Sequence, residues 1–247
     1  QLYTFVRFQY SMKFPVPLIK AKLIKRYKRF MADVSLEDGT VVTAHCANSG
    51  SMLSVNESGA EVWISPANNP NRKLKYTWEI IRINRSLVGI NTQHPNSLVA
   101  EAIAAGKVPT LASFGSITKE VKYGKNSRID LLLEMLSGQK CYVEVKNVTM
   151  RRDLTKGAPA EFPDGITARG AKHLAELSDM VMQGHRAAMF YLVQRYDANS
   201  MIIARDIDPA YGEALDKARK IGVEIIAFNC KVTSKAISLA NPVRFLE

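Results

Sequence analysis

Short runs of alternating apolar and polar residues dominate the chain from Ala21 to about Asn91. Alternation with a period of two is typical of half-buried β-strands, and polar or Gly-containing turns separate the runs. The predicted strands are AKLIKRYKRFMADVSL, TVVTAHC, EVWISP, YTWEIIRI and LVGIN. Five strands, the first long enough to bend around the others, predict a small OB-like barrel, with an SH3-like barrel as the alternative.

After Asn91 the pattern changes to a mixture of helical and strand-like segments. Helical spacing predicts helices at about 97–105 and 168–183 and over PAYGEALDKARKIG. Strands are predicted over SITKEVKYG, SRIDLLLEM, KCYVEVKNVT, AAMFYLVQ and VEIIAFNC. The order α-β-β-β-α-β-α-β needs crossover connections, so it predicts an α/β domain with a mixed sheet and helices packed on it.

The two patterns meet at INTQHPN, where Pro95 and polar residues interrupt both. We therefore predict a barrel domain at residues 12–92 and an α/β domain at 93–247. The first residues, QLYTFVRFQYS, precede a Met12-Lys13 that is typical of a translation start. We interpret residues 1–11 as an extension and leave them out of the fold prediction.

Composition indicates a globular protein, because 47% of the residues are hydrophobic. No apolar run approaches the roughly 18 residues of a membrane span, and no signal peptide is recognisable, so we expect a cytoplasmic protein without a membrane partner. Cys46, Cys141 and Cys230 are scattered and lack CxxC spacing. We expect packed, reduced thiols rather than a disulfide or zinc site.

The formal net charge of +11 favours polyanionic partners, although it also serves solubility. Residues 1–92 carry 13 basic and 6 acidic side chains, a net +7, whereas 93–247 carry 21 and 17, a net +4. The basic excess is therefore concentrated in the barrel.

A basic segment with interleaved aromatic residues lies in the first predicted strand. We predict that it contacts nucleic acid through Lys25, Arg26, Tyr27, Lys28, Arg29 and Phe30. Such barrels bind nucleic acid by combining a cationic groove with aromatic stacking platforms. The alternative is an edge strand whose charges deter aggregation.

The predicted hairpin RIDLLLEMLSGQKCYVEVKNVT contains charges within apolar runs. Glu144 and Lys146 share one strand face, and Asp130 can approach them from the adjoining strand. Two close carboxylates repel each other, and a divalent cation such as Mg²⁺ compensates that repulsion. The alternative is an Asp/Glu/Lys ion-pair cluster on a half-exposed strand face.

The pattern D-x13-E-V-K in this element order resembles the PD-(D/E)xK nuclease superfamily, with restriction endonuclease-like and Mrr-like folds; Ile129 replaces the usual Pro. Five ordered blocks narrow the resemblance: RYKRFMADV, HCANSG, EVKYGKNSRID, YVEVKNVT and FPDGITARGAKHLAEL. Together they resemble the sugar fermentation stimulation protein A (SfsA) family. That resemblance implies an N-terminal OB-fold barrel and a C-terminal nuclease-like domain.

The resemblance also implies DNA binding with little sequence preference and a link to the regulation of sugar metabolism, maltose in particular. It makes Asp130 and Glu144 metal ligands for Mg²⁺ or Mn²⁺ and Lys146 the catalytic lysine, with Glu101 or Glu120 as a third acid. The whole set is then a metal-dependent nuclease site, although DNA cleavage by the family is less settled than its DNA binding.

Three further residues follow the same resemblance. Arg169 and His173 are expected to face a phosphate or to support the ligands, or else to lie on a solvated helix face. Asp164 caps a turn or reaches the site. RNA is an alternative partner, since the sequence does not separate it from DNA, and a homodimer is compatible with the sequence, which identifies no interface.

Overall fold

The computed structural model describes residues 11–69, 71–124 and 127–247. The predicted extension at 1–11 therefore lies, apart from Ser11, outside the described residues. The first strand, β1 (Ser11–Lys13), pairs with a strand of the α/β domain.

The next six strands form the barrel region. They are β2 (Ile19–Tyr27), β3 (Met31–Leu36), β4 (Val41–Cys46), β5 (Glu61–Pro66), β6 (Tyr76–Ile83) and β7 (Ser86–Gly89). Neighbours pair antiparallel in the order β4-β3-β2-β5-β6, and a parallel pairing of β4 with β6 closes the ring. The five-stranded closed barrel is the predicted OB fold, and β7 extends it as a hairpin on β6.

The prediction that AKLIKRYKRFMADVSL forms a single strand is wrong. A three-residue turn divides it into β2 and β3, which pair antiparallel from Tyr27–Met31 onward. Lys28 and Arg29 in this turn have φ angles of 47° and 63°. This left-handed conformation usually needs Gly, Asn or Asp, so the turn carries no sequence signal. LVGIN is then a sixth strand rather than the fifth strand of the ring.

The α/β domain contains three helices and the remaining strands. Its helices are α1 (Pro95–Ala104), α2 (Ala168–Met182) and α3 (Pro209–Ile221), with a 3-10 helix at Pro109–Leu111. Its strands are β8 (Phe114–Tyr123), β9 (Ser127–Met135), β10 (Lys140–Val148), β11 (Ala160–Phe162), β12 (Arg186–Val193), β13 (Ser200–Ile203), β14 (Glu224–Val232), β15 (Ala236–Pro242) and β16 (Arg244–Phe245).

A seven-stranded mixed sheet organises this domain, in the order β1-β15-β14-β12-β10-β9-β8. β10, β12 and β14 are parallel neighbours, joined through α2 and α3 as crossovers, and the other pairings are antiparallel. One apolar cluster joins α1 to one face of the sheet, and a second joins α2 and α3 to the other. The predicted mixed sheet with helices packed on it is confirmed, while strands β11, β13, β15 and β16 were not predicted.

Polar contacts connect the barrel to the start of α1. The buried Glu79 of β6 accepts hydrogen bonds from Ser65, Asn91 and His94, each at 2.7–2.8 Å. Burial alone would raise the pKa of Glu79, but these contacts outweigh it and leave the pKa lowered.

The described part of the chain has no helix long and apolar enough to cross a membrane.

The predicted domain limits of 12–92 and 93–247 stay a prediction. The segment β1 hydrogen-bonds to β15 at the edge of the large sheet, in the register Ser11–Ser238 to Lys13–Ala236. Residues 11–13, which precede the barrel, are therefore part of the α/β sheet. All three cysteines are buried and free, as expected for packed thiols.

Candidate active site

The β9–β10 hairpin brings the predicted acids together. The strands are antiparallel, and their last regular pair joins Leu131 to Val143. Beyond it, the side chain of Asp130 accepts a hydrogen bond from the backbone N–H of Val145 at 2.7 Å. The Asp130 carboxylate thus stands where a backbone acceptor would continue the ladder, next to Glu144 on the adjoining strand.

Asp130 is held in a polar but largely desolvated position. Its second oxygen accepts a hydrogen bond from Nδ2 of Asn96, at the start of α1, at 2.8 Å. Burial raises the pKa of Asp130 to about 6, and the charge of Glu144 adds to the effect. A carboxyl group with this pKa exchanges its proton near neutral pH.

Glu144 is buried and has two different oxygen environments. Oε1 accepts hydrogen bonds from Nζ of Lys146 at 2.7 Å and from Nδ1 of His173. Burial alone would raise the pKa of Glu144, but His173 and Lys146 outweigh it and lower the pKa. Oε2 is buried and has no hydrogen-bond partner among the described residues.

α2 supplies the support for Glu144. Thr167 caps this helix by accepting a hydrogen bond from the N–H of Gly170, and His173 lies one turn further on. Nε of Arg169 donates to Nε2 of His173 at 3.3 Å, so the proton of a neutral His173 is on Nδ1, which donates to Glu144. The predicted supporting pair therefore meets the site through His173, while Arg169 is exposed.

The two candidates for a third acid differ in position. Glu101 is exposed on α1 and forms no side-chain hydrogen bond within the described ranges. Glu120 on β8 accepts a hydrogen bond from Nδ2 of Asn96 at 3.3 Å, so Asn96 bridges it to Asp130. Glu120 also has a φ of 55°, an unusual conformation for a residue other than Gly. The contact with Asn96 favours Glu120 over Glu101 as the third acid, and this assignment stays a prediction.

Sequence reasoning missed Asn96 and Tyr123. Asn96 lies in the segment interpreted as a domain boundary, and Pro95 at the first helical position was the signal that α1 starts there. The hydroxyl of Tyr123 is buried and unpartnered among the described residues. Burial raises the Tyr123 pKa, and the charges of Glu144, Glu176 and Asp130 raise it further. This tyrosine therefore borders the acidic pair.

The donor set fits a hard divalent cation. The Asp130 and Glu144 carboxylates converge, and the unpartnered Oε2 of Glu144 lacks the compensation that a buried carboxylate oxygen needs. Among the described residues no group of three or more His, Cys, Asp or Glu side chains is placed to hold a metal. Mg²⁺ retains several water ligands, so two carboxylates are sufficient protein ligands.

The barrel segment predicted to contact DNA has mixed roles. The Arg26 guanidinium donates to the carbonyls of Asn48, Gly50 and Ser51 and so holds the HCANSG turn. The Tyr27 hydroxyl donates to Asp33 at 3.0 Å. Arg26 and Tyr27 are thus engaged within the barrel.

The other members of that segment are accessible. Lys25 lies over the Tyr27 ring, 5.4 Å from its centroid, and Phe30 stacks on His45 with 45% of its surface exposed. Lys28 and Arg29 form the turn between β2 and β3. These four residues remain the better candidates for nucleic-acid contact.

Asp164 contacts the barrel rather than Glu144. Its Oδ2 accepts a hydrogen bond from the N–H of Met52 at 2.8 Å, and its carbonyl accepts one from the Ser51 hydroxyl. A Cβ on Gly50 would lie 2.6 Å from Oδ2 of Asp164, so a larger residue at this position would require the Asp164 carboxylate to move. The HCANSG and FPDG segments thus form one junction between the domains.

Comparison with known proteins agrees with this architecture. A model of the SfsA N-terminal OB domain matches residues 24–90, and a model of the sugar fermentation stimulation protein RE domain matches residues 93–236. A sugar fermentation stimulation protein homolog from Rhodospirillum rubrum is 58% identical over 228 residues, covering 90% of this chain and 93% of that protein. One from Paramagnetospirillum magneticum is 57% identical, covering 94% and 97%.

The solved structure of Pyrococcus furiosus SfsA in complex with Ca²⁺ is also similar, with a TM-score of 0.85 and 24% identity. The match covers 96% of this chain and 98% of that one. The barrel, the mixed sheet and the order of the two are therefore common to both proteins. With both domain models matched in sequence, this chain belongs to the sugar fermentation stimulation protein family.

Proposed function

We propose that this protein binds DNA and cleaves its phosphodiester bonds at Asp130, Glu144 and Lys146 with the help of Mg²⁺ or Mn²⁺. The observation that carries the proposal is the buried Glu144 carboxylate, whose Oε2 has no partner within the described part of the chain, beside Asp130 with a raised pKa. This pair needs a cation for compensation, and a cation of this type also binds phosphate oxygens. The similar P. furiosus structure contains Ca²⁺, another hard cation with oxygen ligands.

Each side chain has a chemical role in this proposal. A bound Mg²⁺ would be held by Asp130 and Glu144, and it would lower the pKa of a bound water and offset charge on the phosphate. Nζ of Lys146, bonded to Glu144 and 18% exposed in its side chain, can orient the attacking water or offset negative charge that develops on the phosphate. His173 keeps Glu144 ionised and its carboxylate oriented.

Direct cleavage assays test the proposal. Purified protein is incubated with supercoiled, linear and single-stranded DNA in Mg²⁺, Mn²⁺ or EDTA, and binding is measured on the same samples. We expect metal-dependent product that Asp130→Ala and Lys146→Ala both abolish without loss of binding. Glu134→Ala and Lys140→Ala, changes of the same type at the exposed pair at the far end of the hairpin, serve as matched controls.

A non-catalytic, non-specific DNA-binding regulator of sugar metabolism, maltose in particular, is the second candidate. The net +7 of residues 1–92 favours it, since charge neutralisation dominates non-specific binding. This candidate predicts a steep loss of affinity with added salt and no product under any metal condition. Competition with matched RNA tests the alternative polyanion, and tighter RNA binding would argue against DNA as the partner.

A further inference from the structure

A cleft of about 500 Å³ lies between the barrel and the loop that precedes α2. The barrel side contributes Arg26, Arg29 and the turn around Gly50, and the opposite side contributes the segment from Phe162 to Thr167. Cavities of roughly 300–1,000 Å³ take one small-molecule-sized ligand. The cleft therefore has room for about one nucleotide, whereas a double helix is too wide to enter it.

Arg29 gives the cleft an available positive charge. The neighbouring Arg26 is saturated by backbone carbonyls, but within the described ranges the Arg29 guanidinium forms no hydrogen bond or ion pair. Arg29 and Lys28 both have positive φ angles and form the tip of the β2–β3 hairpin, where their side chains are exposed.

The opposite wall supplies apolar surface. Ile166 is 86% exposed, one of the most exposed large apolar side chains among the described residues, and the half-buried Phe162 lies in the same wall. A cation facing apolar surface suits a nucleotide, whose phosphate needs a positive charge and whose base needs an apolar contact. Proteins that bind single strands combine a positive groove with aromatic stacking surfaces, and in this cleft Phe162 and Ile166 supply the apolar surface.

The cleft is close to the proposed active site. Thr167 lines it and caps α2, and His173 on the same helix contacts Glu144. His173 lies six positions after Thr167, which corresponds to a rise of about 9 Å at 1.5 Å per residue. At about 3.4 Å per stacked nucleotide this distance corresponds to two or three nucleotides of one strand.

We propose that this cleft binds an unpaired nucleotide of the DNA strand that reaches Asp130 and Glu144, with Arg29 at its phosphate and Ile166 against its base. This rests on the DNA binding of the proposed function and names its substrate class. The preferred DNA is a duplex with a single-stranded overhang, rather than a blunt duplex.

Binding measurements in EDTA test the proposal independently of cleavage. Fluorescence anisotropy compares one duplex in three forms: blunt, with a short 3′ overhang and with a short 5′ overhang. We expect one overhang form to bind about tenfold tighter than the blunt form, and Arg29→Ala and Ile166→Ser to remove that difference. Arg29→Ala should also reduce the slope of log affinity against log salt on overhang DNA by roughly 0.7.

Matched controls are Arg85→Ala, which removes the same charge elsewhere on the barrel, and Leu136→Ser, which removes an exposed apolar side chain of the β9–β10 turn. Both should keep the overhang preference. Equal wild-type affinity for blunt and overhang DNA would overturn the proposal, as would Arg29→Ala weakening both forms equally. Cleavage without an overhang preference would overturn this inference and support the proposed cleavage activity. An overhang preference without cleavage would support this inference and overturn the proposed cleavage activity.

Discussion

Asp130 and Glu144 lie side by side, but their surroundings shift their pKa values in opposite directions. Glu144 has two cationic or proton-donating neighbours, Lys146 and His173, whereas Asp130 has a backbone N–H and an amide. Environments that separate the pKa values of two carboxyl groups are typical of sites where the two have different roles. The two environments differ because α1 supplies Asn96 to Asp130, whereas α2 supplies His173 to Glu144.

The raised pKa of Asp130 predicts a dependence of stability on pH. Its value of about 6 in the folded protein exceeds the roughly 3.9 of an unfolded chain, so between these values the folded state binds more protons. The contribution of Asp130 therefore becomes less favourable as pH rises from about 4 to 6, by on the order of 1–2 kcal/mol. Urea unfolding in EDTA should show this loss in wild type and not in Asp130→Asn. Equal pH dependence of the two proteins would contradict it.

His173 is a positioning residue, and its removal should change the pH profile of cleavage. His173→Ala removes a contact that lowers the pKa of Glu144, so the acidic limb of the rate profile should move to higher pH. Loss of a partner of this kind costs roughly 10- to 100-fold in activity or metal affinity. Rates measured across pH at saturating Mg²⁺ check it, with Lys172→Ala on the same helix as the control. A uniform loss without a shift would show that His173 is only structural.

At the scale of elements, the β2–β3 turn shows what pattern can and cannot predict. Alternation identified both strands, but it did not show the turn between them, which contains no Gly, Pro, Asn or Asp. Local hydrogen bonds, such as that from Nε of Arg26 to the carbonyl of Arg29, hold this turn. The β9–β10 hairpin was predictable, since alternation fixes which face each charge occupies. The sequence did not predict the contacts that Asn96 and Asp164 make, because their partners lie in elements distant in sequence.

The same turn predicts a conflict between stability and binding. Glycine has little conformational penalty at positive φ, so Lys28→Gly should leave the free energy of unfolding unchanged or raise it by up to about 1 kcal/mol. DNA affinity should fall because a cation is lost. Lys22→Gly, at an exposed position inside β2, should instead destabilise by roughly 0.5–1 kcal/mol. Urea unfolding and anisotropy measure both; a clear destabilisation by Lys28→Gly would contradict the argument.

At the scale of the whole molecule, Asp164 connects the two domains. Asp164→Ala leaves the Met52 N–H without its acceptor and should cost roughly 1–3 kcal/mol of the free energy of unfolding. It should also loosen the loop that starts α2 and so reduce cleavage. Asp153→Ala, at an exposed site whose side chain accepts a hydrogen bond from the Thr155 N–H, is the control. Calorimetry would show the loss as a lower transition temperature, and a transition identical to wild type would rule out the junction as a stabilising contact.

The pairing of β1 with β15 has a mechanical consequence. Two short connections, residues 14–18 and 90–94, join the barrel to the α/β domain, one after β1 and the other before α1. The barrel is thus an insertion with both of its ends anchored on the larger body. A domain on one hinge can swing freely, but a domain with two tethers is restricted to small displacements. The cleft between the barrel and the loop before α2 should therefore keep a nearly constant width, so that any strand bound there must fit it without a domain movement.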